Sequence, residues 1–314
     1  MKKNLNNIFK ISVYIFALWG FVLTGVFFAM KFGLTKSSSV VDTQSEYFKK
    51  LSIDSKAGED ERSTAAQKDW DNIKYMAEWQ VVKVGLTRDT AVIDRVSQET
   101  GVDSRLLVTP LVVEQLRLMT SQRETFKKYF APLGVLGTQT QFSLGIFGIK
   151  ENTAKQIEEN LKNPTSIYYL GSEYEHALDY TDSTSTLVVD KNSLMPVTAS
   201  TSSATSSTST ITLVGSDADR IKRLTNDKDR YYSYLYAALY LKQIMTAWER
   251  SGYSISDRPE IIATVYNLGF QKSNPNADPK VGGASIDLNG NKYSFGSIAF
   301  YFYFSNELTD ILPR

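Results

Sequence analysis

An uninterrupted apolar run near the amino terminus sets the strongest constraint on how this chain can fold. Between Lys10 and Lys31 lies ISVYIFALWGFVLTGVFFAM, which contains no charged residue. As a helix rising about 1.5 Å per residue it would span roughly 30 Å, the thickness of a bilayer's hydrocarbon core. Lys2, Lys3 and Lys10 precede it without an intervening acid, so the positive-inside rule assigns residues 1–10 to the cytoplasm. A cleaved signal peptide would share the basic start, but KFGLTKSSS offers a poor small-x-small cleavage site. The expectation is a single-pass anchor over 11–30. The rest of the chain then lies outside the cytoplasmic membrane, in the periplasm or on the outer cell surface.

Beyond the anchor, residues 31–69 are polar, with SSS, DSK and AGEDERS, and read as a linker or stalk in which an amphipathic helical stretch begins near Ser45. A domain is expected from 70 to 314. Its charge is close to balanced, since the chain carries 35 Lys and Arg against 34 Asp and Glu, so no basic stripe is available for nucleic acid. The absence of cysteine excludes disulfides, thiol catalysis and Cys-type zinc sites. A single histidine, His176, argues against a His-based triad or a multi-His metal site. Neither metal nor cofactor is expected. Carboxylates, tyrosines and hydroxyls remain as the catalytic repertoire.

The segment TAVIDRVSQETGVDSRLLVTPLVVEQLRLM predicts two helices parted by a turn at Gly101, with Asp103 or Ser104 as the cap of the second. Pro110 is awkward there, because inside a helix it deletes a backbone hydrogen bond. A third helix is expected over ENTAKQIEENLK. The run TASTSSATSSTSTIT, with TDSTSTLVVD before it, marks an exposed Ser/Thr-rich insertion at about 181–216, as a small β-hairpin or a loop. Helical spacing resumes at DRYYSYLYAALYLKQIMTAWERSG. In SDRPEIIATVYNLG, Ser256 or Asp257 can cap, Pro259 suits the first turn and Gly269 the end. GGASIDLNGNKYSFG predicts a hairpin around Asn289-Gly290, and SIAFYFYFSNEL a final helix whose aromatics read as packing.

Glu114 follows the apolar run LLVTPLVV. Burying an unpaired carboxylate costs several kcal/mol, so Glu114 needs either a partner or a reason to hold a proton. Taken alone, a lone helical Glu is most often solvent-facing, and a Tyr such as Tyr266 is most often core.

Three segments together resemble the lytic transglycosylases related to goose-type lysozyme. GVDSRLLVTPLVVEQ, Gly101 to Gln115, is similar to the family's helix running from a Gly-Val-Asp start to a glutamate. SLGIFGIKENTA, Ser143 to Ala154, is similar to its Ser-x-Gly-Leu-Met-Gln-Ile stretch. ATVYNLG, Ala263 to Gly269, is similar to its Ala-x-x-Tyr-Asn-Ala-Gly. They occur in the family's order, and the resemblance covers roughly residues 85–310 outside the insertion. The sequence departs from the pattern at Gln115, where the family places serine, at Gly148, where it places glutamine, and at Pro110.

The resemblance implies a mainly α, lysozyme-like (α+β) domain with a small β-hairpin, and a substrate of peptidoglycan glycan strands. Glu114 would protonate the glycosidic oxygen of the MurNAc-GlcNAc β-1,4 bond, the substrate's acetamido group would assist departure, and the same Glu114 would accept the proton of the 6-hydroxyl. The product would be 1,6-anhydro-MurNAc. Ser143, Gly145, Ile146 and Phe147 would line the groove, and Tyr266 and Asn267 would orient Glu114 or bond the N-acetyl group. Exposed aromatics such as Tyr293 or Tyr301 could stack on sugars. No second carboxylate stands out, although Glu124 and Asp287 stay open. Two alternatives remain: a hydrolytic muramidase, and a catalytically silent glycan-binding or assembly module of a cell-envelope complex with protein partners the sequence does not identify.

Overall fold

Trp70 and Trp79 meet edge to face with ring centroids 4.9 Å apart, and Phe302 lies against both, at 5.4 and 5.8 Å. This aromatic cluster ties the first described helices to the last. In the computed structural model the described residues are 59–120, 143–179 and 217–314, with 187–189, 209–211 and the isolated positions 14 and 21. The chain divides into two compact units, residues 1–39 and 40–314. In the first, Tyr14 and Phe21 are helical and exposed. The remainder of the expected anchor at 11–30 lies outside the described residues, among which no helix is long and apolar enough to cross a membrane.

The second unit is mainly helical. Its first described helix, α1 (Glu59–Trp70), falls inside the stretch read as linker. Ala66 and Trp70 are fully buried there, and the helix packs against α8 (Phe295–Phe304). The packed domain therefore reaches back to Glu59. The composition of EDERSTAAQKDW hides this because its buried seam is only an Ala and a Trp one turn apart, facing an aromatic helix that supplies most of the apolar surface.

Helix α2 (Ala77–Thr100) buries Trp79, Val82, Leu86, Ile93 and Val96, a stripe at helical spacing. It ends at Gly101 in the left-handed conformation, φ 68°, with the Gly101 N–H donating to Ser97 O. Asp103 caps the next helix, α3 (Ser104–Thr120): its Oδ1 accepts from the Leu106 N–H at 2.7 Å, while Ser104 is already helical. Every residue of α3 from Ser104 to Glu114 is buried, which makes it the central helix, and Pro110 sits within it. The buried Arg105 guanidinium donates to the carbonyls of Tyr303 (2.7 Å), Phe302 (2.8 Å), Ser305 (2.8 Å) and Leu312 (3.0 Å). It thereby gathers three carbonyls at the end of α8 and one from the segment that follows it, at a helix end where a cation also suits the dipole.

The remaining helices are α4 (Glu151–Leu161), α5 (Asp217–Leu224), α6 (Tyr231–Arg250) and α7 (Pro259–Leu268). Neither Ser256 nor Asp257 caps α7; Arg258 occupies the cap position without a side-chain cap bond, followed by Pro259. The Arg258 Nε donates to the buried Glu260 carboxylate at 2.9 Å, an ion pair within the first turn.

Three two-stranded antiparallel ladders complete the described structure. Strands β1 (Ser143–Leu144) and β2 (Ile149–Lys150) pair Ser143 with Lys150 and Leu144 with Ile149. In the Ser/Thr-rich insertion β3 (Leu187–Val189) pairs with β4 (Ser209–Ile211), and the rest of that insertion lies outside the described residues. Strands β5 (Ser285–Leu288) and β6 (Asn291–Ser294) form the hairpin expected at Asn289-Gly290, whose φ values of 54° and 83° suit a tight two-residue turn. Strand β6 runs directly into α8 through a reciprocal capping box between Ser294 and Ser297.

Candidate functional site around Glu114

The apolar run that drives α3 into the centre of the domain carries Glu114 with it, leaving the residue 3% exposed. Its partner is one turn further along the same helix. Arg117 donates from Nε to Glu114 Oε2 at 3.0 Å and from Nη2 to Oε1, a bidentate ion pair. A buried carboxylate is tolerable when compensated this way, because the Coulomb attraction and two charge-assisted hydrogen bonds offset the lost hydration.

The other face of the carboxylate meets backbone. The turn joining β1 to β2 runs from Gly145 to Gly148, both with φ 63°, and the Gly148 N–H donates to Gly145 O at 3.3 Å. A Cβ placed on Gly148 would lie 2.2 Å from Glu114 Oε1 and 2.5 Å from Cδ. The glycine that departs from the resembled pattern is thus required here: Glu114 fills the space that a glutamine side chain would need to enter. Gln115, another of the departures, donates from Nε2 to the Ile146 carbonyl and fastens α3 to the same turn.

Tyr266 approaches from α7. It is 7% exposed, and its hydroxyl donates to the Phe147 carbonyl at 3.0 Å. Burial, and next the charge of Glu114, hold its phenol well above the ordinary tyrosine range, so it stays protonated and able to donate. Its ring leans on Tyr240 with centroids 4.9 Å apart. All three segments quoted from the sequence therefore converge on the Gly145–Gly148 turn: α3 through Glu114 and Gln115, α7 through Tyr266.

The remaining expected site residues take up other positions. Phe147 is buried and stacks edge-on against Tyr234 at 5.1 Å, so its carbonyl rather than its ring faces Tyr266. Ile146 is half-buried. The close approach permitted by Gly145 is to protein and not to open space, since a Cβ there would lie 2.0 Å from the Leu224 carbonyl oxygen at the end of α5. Ser143 is placed by its backbone pairing with Lys150. Asn267 does not reach Glu114 by a hydrogen bond; its Oδ1 accepts from the Ala284 N–H at 2.9 Å and pins the segment leading into β5.

Tyr301 is 2% exposed and edge-on to Tyr293, which corrects the expectation that it stands free to stack on a sugar; Tyr293 is half-buried. The exposed Asp287 accepts from the Gly290 N–H at 2.8 Å and serves the hairpin turn. Glu124 lies outside the described residues. His176 is exposed, with Nδ1 2.6 Å from Asp179 Oδ2. Among the described residues no group of three or more His, Cys, Asp or Glu side chains could hold a metal ion.

Sequence reasoning overlooked Arg117 and the positive role of Gly148. The signals were present: Glu-x-x-Arg places opposite charges on one helix face, and Gly-x-x-Gly spaces two flexible positions around a turn. No protein-family model matches the chain, and neither does any curated protein or solved structure.

Proposed function

We propose that the protein is a membrane-anchored lytic transglycosylase that cleaves the MurNAc-GlcNAc bond of peptidoglycan outside the cytoplasmic membrane. One observation carries the reading. Three separate segments that resemble this family meet around a single buried carboxylate, Glu114, held between the Gly148 backbone and Arg117 and adjoined by Tyr266.

In this mechanism Glu114 gives its proton to the glycosidic oxygen while the acetamido oxygen of the same sugar attacks the anomeric carbon. The carboxylate left behind then removes the proton of the 6-hydroxyl, whose oxygen displaces the acetamido oxygen from the anomeric carbon; this closes the anhydro ring, regenerates the acetamido group and restores neutral Glu114. One carboxyl group serves as acid and then as base, so no second carboxylate and no cofactor is called for. The Tyr266 hydroxyl keeps the turn fixed beside the carboxylate, and Gly148 leaves Oε1 against bare backbone.

A second reading has its own support. The bidentate bond from Arg117 occupies both carboxylate oxygens of Glu114, which suits a silent glycan-binding or assembly module. A hydrolytic muramidase would share Glu114 and differ in using water. The test is to incubate the full chain in detergent with purified peptidoglycan and resolve the products by mass spectrometry, with Glu114→Gln as control. Anhydro-muropeptides that fall by about 10²–10⁴ in the variant support the proposal. Reducing ends indicate a muramidase. Glycan binding without cleavage indicates the silent module.

A further inference from the structure

Helix α4 leaves β2 without a break and carries the buried Glu158 two turns along. Glu158 grips Arg220 on α5 with both oxygens: Nε donates to Oε1 and Nη2 to Oε2, each at 2.8 Å. The Tyr236 hydroxyl on α6 donates to Oε1 as well. One turn beyond Arg220, the Leu224 carbonyl accepts from the Ser233 hydroxyl at 2.9 Å and lies so near Gly145 that no side chain fits between them. These contacts close a ring. It runs from the Gly145–Gly148 turn through β2 and α4 to Glu158, across the ion pair to α5, and back to Gly145 at the Leu224 carbonyl. The far end of the turn, Gly148, bears on Glu114.

Helix α5 is two turns long, and its larger apolar side chains are Ile221, half-buried, and Leu224, buried. Apolar burial is non-directional, so a seam this small leaves a helix free to slide or turn about its axis. A bidentate arginine–carboxylate pair fixes both distance and angle. Buried ion pairs add little stability over a well-packed apolar pair of similar volume, so what Arg220 and Glu158 supply beyond such a pair is position.

We propose that Arg220 is a positioning residue for Glu114, acting through α5 and the Gly145–Gly148 turn. The ion pair holds Leu224 against Gly145 and so sets where the turn begins. Tyr266 holds its middle at the Phe147 carbonyl, and Gly148 brings bare backbone to Glu114 Oε1. Without the pair α5 shifts, the turn follows, and Glu114 loses the wall that fixes its aim. The catalytic consequence rests on the glycan-cleaving reading, whereas the ordering of the turn does not.

The test pairs hydrogen–deuterium exchange with kinetics on the full chain in detergent. It compares the wild type, Arg220→Lys, and the apolar replacement that joins Arg220→Met to Glu158→Leu. The double variant regains at least half of the stability that Arg220→Met alone loses, so it stays folded. Peptides covering 143–150 are nonetheless expected to exchange about tenfold faster than in the wild type, while those covering 93–101 at the end of α2 keep their rate. On purified peptidoglycan kcat falls about tenfold or more with KM nearly constant, since a misplacement of about 1 Å at a catalytic group can lower the rate about a hundredfold. Arg220→Lys keeps the charge without the fork and falls between the two.

Wild-type exchange at 143–150 in the double variant overturns the inference, and so does faster exchange there with kcat unchanged. Equal acceleration at both segments makes Arg220 a general structural residue and overturns it too. A wild type that cleaves nothing sinks the proposed function, and the exchange rates then decide alone whether Arg220 sets the turn. If the double variant does not fold, Arg220→Lys carries the same comparison.

Discussion

Gly148 lies so close to Glu114 that a Cβ at position 148 would fall 2.2 Å from the carboxylate oxygen Oε1. The contact accounts for two features at once. It explains why a glycine, with φ 63°, stands in the turn, and why a carboxylate can be held still without a second side chain on that flank. Gly145, the other glycine of the turn, is pressed against backbone at the Leu224 carbonyl, so the turn is clamped between α3 and α5.

Substitution of the two glycines separates these roles. Gly148→Ala meets a side chain that can swing aside, and is expected to cost about 2–4 kcal/mol from left-handed strain and crowding. Gly145→Ala meets backbone and is expected to cost more. Urea unfolding measures both. A Gly148→Ala protein less stable than Gly145→Ala would contradict the assignment of side chain to one contact and backbone to the other. In the proposed enzyme Gly148→Ala also loses activity beyond its stability loss, because Glu114 must move.

Arg105 is a structural cation. Replacing it with Met leaves four carbonyls near the end of α8 without their donor and is expected to destabilise the fold by about 3–5 kcal/mol. Arg105→Lys recovers part of this, since an ammonium reaches fewer of the four. Denaturation midpoints that fall by less than a kcal/mol for Arg105→Met would show that α8 ends are satisfied by other means.

Alkaline pH should unfold the protein steeply. Burial pushes the phenols of Tyr234, Tyr240 and Tyr266 above the ordinary 10.0. A raised folded value means that the stability each contributes is complete below the unfolded pKa and is lost as pH rises beyond it. Three such groups give a loss of about 4 kcal/mol per pH unit above pH 10. Arg105 acts in the opposite sense: burial lowers it to about 10 from 12.5, so the folded state releases its proton first and gains about 1.4 kcal/mol per unit over that window. Urea midpoints measured from pH 8 upward should fall accordingly. Tyr240→Phe should reduce the slope by about 1.4 kcal/mol per unit.

Buried charge pairing also links α4 to α5. Arg220 donates to Glu158 from Nε and Nη2, each at 2.8 Å, and the Tyr236 hydroxyl donates to the same carboxylate. Arg220→Met alone strands the Glu158 charge and is expected to cost about 3–5 kcal/mol, whereas Arg220→Met with Glu158→Leu should recover at least half. A double-mutant cycle measures the coupling. Additive effects would mean that the two side chains do not share a buried interaction.

What was legible in the sequence was local. The second half of α2 from Thr90, the cap at Asp103, the Asn289-Gly290 turn and the limits of α4 and α6 all follow from spacing, capping chemistry and positive φ, which act within a few residues, whereas α8 begins two residues before and ends four residues short of the stretch SIAFYFYFSNEL. At α7 the capping rule fails: neither Ser256 nor Asp257 stands at the cap position, which Arg258 occupies while donating to Glu260. Helix α1 was read as linker because its apolar seam is narrow, and only the aromatic face of α8 opposite makes that seam sufficient.

The sequence by itself determined that the domain is mainly helical, that Glu114 lies in an apolar run, and that glycines punctuate the turn at 145 and 148. It did not determine what Glu114 touches. Arg117 is in helical reach by spacing alone, but many residues are, and whether a neighbour becomes a partner depends on which face is buried. Tertiary packing decided that α3 is buried from Ser104 to Glu114 and that the turn presses bare backbone onto the carboxylate. It also turned Asn267 toward Ala284 and Tyr301 into the core. The physical reason is range: helix and turn preferences act over a few residues, whereas desolvation and hydrogen-bond pairing at Glu114 depend on segments that meet only after the chain has folded.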